Sequence, residues 1–74
     1  MKEKVLTIIN EIRENKGLNK LDNIKEADTL RDQLDFSSFD LAELTVRIED
    51  EFDIDIFEDG LVNTVGEIYS KLNK

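Results

Sequence analysis

Val5, Ile8, Ile9 and Ile12 recur at the i, i+3, i+4, i+7 spacing of one helical face, with Lys4, Asn10, Glu11 and Glu14 set elsewhere on the wheel. The spacing predicts a first helix over Lys2–Asn15. Gly17 should end it, because glycine accepts the left-handed conformation common just past a helix, and Lys16 suits the negative pole there. Over residues 18–37 the pattern thins to Leu18, Leu21, Ile24, Leu30 and Leu34 among polar side chains. That suits a long connection pinned to a core by apolar anchors, and connections longer than about 12–15 residues usually carry function in compact domains.

Residues 39–52 give the strongest helical pattern. Phe39, Leu41, Ala42, Leu44, Val46, Ile48 and Phe52 cover a broad arc, while Asp40, Glu43, Arg47, Asp50 and Glu51 gather opposite. Ser37 is the expected N-cap, which leaves Ser38 in the first turn, where free backbone N–H groups and the positive helix pole favour a phosphate. Residues 53–60 alternate at Ile54 and Ile56 too briefly to demand a strand and leave room for one short third helix. Thr64 and Glu67 form a T-x-x-E capping box, and Val65, Ile68, Tyr69 and Leu72 continue as a last helical stripe. The expected fold is all-α: a small antiparallel four-helix bundle, three main helices plus one short one, with a long first loop, in a single domain over residues 1–74. Phe36, Phe39, Phe52, Phe57 and Tyr69 are expected in the core or at its edge.

Composition narrows the function. With no cysteine and no histidine, the chain lacks disulfides, thiolate metal sites, a cysteine nucleophile and the commonest general base. That argues against an enzyme. No apolar run reaches the length of a membrane span, and residues 1–4 lead into an amphipathic pattern rather than a signal-peptide core, so a cytoplasmic protein without membrane contact is expected. The net charge of −8 is concentrated in residues 32–59, which hold eleven acidic side chains against Arg47 alone. Such a segment repels nucleic acid and invites basic protein surfaces.

The acidic residues 53–60 superficially suggest a calcium loop. The EF-hand pattern, however, needs an oxygen ligand at the place of Phe57 and glycine at the place of Glu58, so no metal site is expected.

The stretch L-D-F-S-S-F-D-L-A-E-L from Leu34 to Leu44, followed by Glu49, Asp50, Glu51 and Phe52, resembles the pantetheine-attachment region of acyl carrier proteins. That region is commonly written L-G-x-D-S-L-D-x-x-E-L, then E-E-E-F. Upstream, D-T-L-R-D-Q-L over residues 28–34 resembles the family's approach to its serine, and downstream Ile54, Ile56 and T-V-G-E-I from Thr64 to Ile68 resemble its final helices. The resemblance implies that Ser38 bears a covalent 4′-phosphopantetheine arm, placed there from coenzyme A by a separate phosphopantetheinyl transferase. It further implies a monomeric carrier, not an enzyme, which presents thioester-bound acyl groups to loading and transferring enzymes with basic docking surfaces. Asp40, Glu43, Glu49 and Asp50 are then the expected recognition face, and Leu44, Ile48, Ile56, Val65 and Ile68 the expected lining of any acyl cavity.

Departures from the family pattern point toward specialised partners. Ser37 stands where the family usually has aspartate, Phe39 where it has leucine, and Asp35 and Phe36 replace the glycine-containing approach. Arg47 interrupts the acidic face, and Phe57 stands where proline is common. A specialised lipid, saccharide-modification or secondary-metabolite pathway is weighed equally with fatty acid biosynthesis. Two other readings stay open: an aminoacyl or peptidyl carrier, and an acidic helical interaction module that never receives the arm.

Overall fold

The first helix, α1 (Lys2–Asn15), buries Val5, Ile8, Ile9 and Ile12 in one stripe, as the spacing predicts. The structure, a computed structural model, describes residues 1–58 and 60–73. At the end of α1 the N–H of Gly17 donates to the carbonyl of Glu14 and the N–H of Leu18 to that of Arg13, with Gly17 at φ 83°. This paired closure satisfies carbonyls that the helix itself cannot, and it needs the left-handed backbone glycine allows.

The second helix, α2 (Ser38–Phe52), lies against α1. Two ion pairs join them, Lys4 to Glu51 and Glu11 to Arg47, and Lys16 just past α1 pairs with Asp40, so rising numbers on one side meet falling numbers on the other. The third helix, α3 (Val65–Leu72), starts at the Thr64 cap, whose hydroxyl accepts from the Glu67 N–H while the Glu67 carboxylate accepts from the Thr64 N–H. These three are the helices among the described residues. The expected short helix in residues 53–60 is instead a run of turns over residues 56–58; Asp59 lies outside the described residues. Asp53 reverses the chain in the left-handed region, and the Asp55 carboxylate takes the N–H of Phe57, a local bond that competes with helix.

The long connection is ordered by anchors of two kinds. Leu30, Leu34 and Phe36 are buried in the core alongside Leu44, Ile48, Ile56, Val62, Val65 and Ile68. Backbone bonds tie the same stretch to the start of α3: Leu30 N–H to the Asn63 carbonyl, Val65 N–H to Asp28 and Gly66 N–H to Glu26. Asn10 corrects the helical-wheel expectation. It is 3% exposed rather than turned to solvent, because its amide both donates to and accepts from the backbone of Leu21. Those two bonds remove the penalty of burying an amide and pin the beginning of the connection to α1.

Candidate functional site

Ser38 opens α2 with its side chain exposed. Ser37 is the N-cap, and its hydroxyl accepts the Asp40 N–H at 3.3 Å. The Asp40 carboxylate completes the box by accepting from the Ser37 N–H at 2.9 Å and from the Ser37 hydroxyl at 3.0 Å. The helix start is therefore fixed from both sides.

Asp40 corrects a second expectation. Its residue is 5% exposed, so it does not belong to the outward acidic face. Lys16, at the end of α1, reaches its Oδ2 at 2.6 Å. Burial pushes the Asp40 carboxyl up, but the hydrogen bond from Lys16, the backbone and side-chain hydrogen bonds from Ser37 and the Lys16 charge together outweigh it. The net result lies below the ordinary carboxylate range.

The same end of α1 holds the approach to Ser38. Lys16 also donates to the Asp35 carbonyl and lies 5.9 Å from the Phe36 ring centre. Arg13 donates to the carbonyls of Leu34, at 3.0 Å, and Asn19, at 3.1 Å. Asp35 sits at φ 59°, a left-handed conformation that glycine adopts without penalty.

Arg31 comes from the long connection, and its Nη2 donates to the Ser38 hydroxyl at 2.8 Å. Arg31 and Ser38 line a groove of about 370 Å³ together with Leu41, Ala42, Thr45, Phe57 and Leu61. The groove is mostly apolar and open to solvent. The five aliphatic residues expected to line a cavity, Leu44, Ile48, Ile56, Val65 and Ile68, are instead fully buried in the core.

The outward face of α2 is split. Glu49 and Asp50 are exposed, whereas Glu43 is half-buried and paired with Arg47 at 2.9 Å. Arg47 reaches on to Glu11 at 3.4 Å, so it joins the helices as well as interrupting the acidic surface. Phe39 is 78% exposed rather than at the core edge, and Val46 and Leu61 are exposed with it.

A family model for the phosphopantetheine attachment site matches residues 5–72. The chain belongs to that family. Comparison with curated proteins and with solved structures finds no match. The chain is thus a phosphopantetheine carrier protein, and the covalent 4′-phosphopantetheine group is its cofactor. No helix among the described residues is long and apolar enough to cross a membrane.

The residues around Ser38 fit such a group. An exposed hydroxyl offers the ester oxygen, a guanidinium 2.8 Å away suits a phosphodiester, and the adjacent groove offers apolar surface to the chain beyond it. The positive pole of α2 adds to the same preference for an anion.

Arg31, Lys16 and Arg13 are the site's neighbours that sequence reasoning passed over. Lys16 was legible only as a complement to a helix pole. Arg31 is the last basic residue before the acidic segment, a signal that marks it as unusual but does not reveal which side chain it meets.

Proposed function

We propose that Ser38 is the attachment point of the 4′-phosphopantetheine arm and that the chain is an acyl carrier protein. What carries the reading is that, within the matched residues, Ser38 offers an exposed hydroxyl at the start of α2, with the Arg31 guanidinium against its oxygen. Ser38 needs no base of its own, since a phosphopantetheinyl transferase would take the hydroxyl proton as the serine oxygen bonds to the pantetheine-side phosphorus of coenzyme A, the pyrophosphate P–O bond breaks and adenosine 3′,5′-bisphosphate leaves. The arm supplies a terminal thiol that holds the cargo as a thioester. Ser37 and Asp40 fix the turn that presents Ser38, and Lys16 and Arg13 hold the residues before it.

An acyl cargo is favoured over an aminoacyl one by the groove beside Ser38, because Leu41, Ala42, Phe57 and Leu61 offer apolar surface and no counter-charge for an ammonium group. For partner enzymes we assign Glu49 and Asp50 as the principal acidic contacts, with Glu43 secondary because Arg47 already neutralises it. Asp40 serves the fold of the site rather than its outer surface.

The test is intact-mass measurement after incubation with coenzyme A and a broad-specificity phosphopantetheinyl transferase. A mass gain in the wild type that is absent in Ser38→Ala is expected. A gain that persists in Ser38→Ala, or none in the wild type with several transferases, overturns the reading.

A further inference from the structure

Arg31 is exposed in a strongly acidic part of the chain, yet among the described residues it has no carboxylate partner. Its one hydrogen bond there goes to a neutral oxygen, the hydroxyl of Ser38. We propose that Arg31 clasps the phosphodiester formed at Ser38 and so holds the root of the arm over the groove of Leu41, Ala42, Phe57 and Leu61. This rests on the assignment of Ser38 as the attachment point.

The chemistry follows from what the serine becomes. A hydroxyl offers a guanidinium one weak acceptor, whereas a phosphodiester adds a full negative charge on two non-bridging oxygens. Guanidinium presents paired N–H groups at the spacing those oxygens need. At the start of α2 the Asp40 N–H is taken by the Ser37 hydroxyl and the Leu41 N–H by the Ser37 carbonyl. The N–H groups of Ser38 and Phe39 remain for the phosphate, among the described residues, on the helix side. Arg31 closes the other side.

The clasp is held in place by the backbone beside it. Leu30 donates to the Asn63 carbonyl and accepts from the Phe36 N–H, both at 2.9 Å, which fixes the residue before Arg31 at both polar groups. The side chain thus starts from a fixed point and needs little reorganisation to keep its contact. Arg31 and Ser38 line the same groove, so an arm gripped at its phosphate has apolar surface within reach.

The experiment compares the isotope-labelled chain before and after loading from coenzyme A, with Arg31→Gln to assign the side-chain signal. Loading should slow solvent exchange of the Arg31 guanidinium N–H groups about two- to fivefold, as an exposed ion pair of up to about 1 kcal/mol allows. The phosphorus resonance of the loaded wild type should differ from that of loaded Arg31→Gln, and the difference should vanish in 1 M salt, where the screening length falls to about 3 Å. Loaded wild-type protein with unchanged Arg31 exchange overturns the clasp while leaving Ser38 as the attachment point. Equal phosphorus resonances in both loaded proteins do the same. Should Arg31→Gln resist loading, wild-type exchange decides alone, and the absence of any Ser38-dependent mass gain overturns both proposals.

Discussion

Lys16 Nζ and Asp40 Oδ2 stand 2.6 Å apart and join the end of α1 to the first turn of α2. The pair is more than a surface contact, because the Asp40 carboxylate is enclosed and also caps Ser37. Asp40→Ala should cost about 2–3 kcal/mol, combining a lost cap with a lost charged hydrogen bond. For a domain of this size that lowers Tm by roughly 10–20 °C. Lys16→Met should cost less, about 1 kcal/mol, and the double variant should lose less than the sum of the two. Additive losses in a thermal-melt cycle would show the pair to be uncoupled.

Acid provides an independent view of Asp40. Its carboxyl is held below the ordinary value in the folded chain, so the unfolded chain binds the proton more readily. The stability it contributes is therefore complete above about pH 5, starts to fade as pH falls through the unfolded value near 4, and is gone below the folded value. Asp40→Asn should flatten this part of the stability profile. An unaltered acid slope in Asp40→Asn, measured by denaturant titration, would remove Asp40 as its source.

Tyr69 is the single tyrosine, and its phenol is pushed above the ordinary value by burial first and by the charge of Glu26 second. A raised acid in the folded state stabilises below its unfolded value near 10 and loses that contribution as pH rises through the folded value. Absorbance titration should show a midpoint above 10, and Glu26→Gln should lower it only in part, since burial remains. A midpoint in Glu26→Gln equal to that of the unfolded chain would contradict burial as the leading cause.

Gly66 lies in the first turn of α3, where a Cβ would meet the Glu26 carbonyl oxygen at 3.1 Å and the Glu26 Cβ at 3.2 Å. Alanine is worth about 1 kcal/mol more than glycine within a helix. The obstructing oxygen, however, also accepts the Gly66 N–H at 2.9 Å and cannot retreat without lengthening that bond. Crowding of about 1–3 kcal/mol then outweighs propensity, and Gly66→Ala should lower Tm by several degrees. A higher Tm would mean that the connection yields.

For partner binding, Glu49 and Asp50 are the informative pair to reverse. Lysine at Glu43 would face Arg47 and confound binding with stability, whereas Glu49 and Asp50 are exposed and unburdened by that contact. Glu49→Lys with Asp50→Lys should weaken association with a basic transferase and flatten its dependence on salt, with helicity kept. Equal salt slopes for both proteins would exclude this face from docking.

Much of the fold was legible because helices write their burial into sequence at a fixed period. The bounds of α1, the Ser37 cap and the Thr64–Glu67 box all follow from spacing and local chemistry. What escaped depends on pieces far apart in the chain. Asn10 is drawn inward by Leu21 and Asp40 by Lys16, and a helical wheel places both by polarity alone. Phe39 turns outward although it is apolar, since hydrophobicity alone does not say which apolar residues the core takes in. In the turn after α2, Asp55 satisfies Phe57 locally, which the apolar alternation of Ile54 and Ile56 could not disclose.

Sequence motifs single out Ser38, but they do not disclose the arginine that meets it. Arg31 and Ser38 lie on either side of a turn rather than on one helix, so the period of a single element does not pair them. Asp35 marks the same limit, adopting in its turn the left-handed backbone that the family pattern assigns to glycine.

The seam between the long connection and the start of α3 bears on Arg31 through the backbone. Leu30 hangs from the Asn63 carbonyl, and Arg31 is the next link in the chain. The point from which Arg31 starts is therefore set by the segment leading into α3 as much as by the connection that carries it.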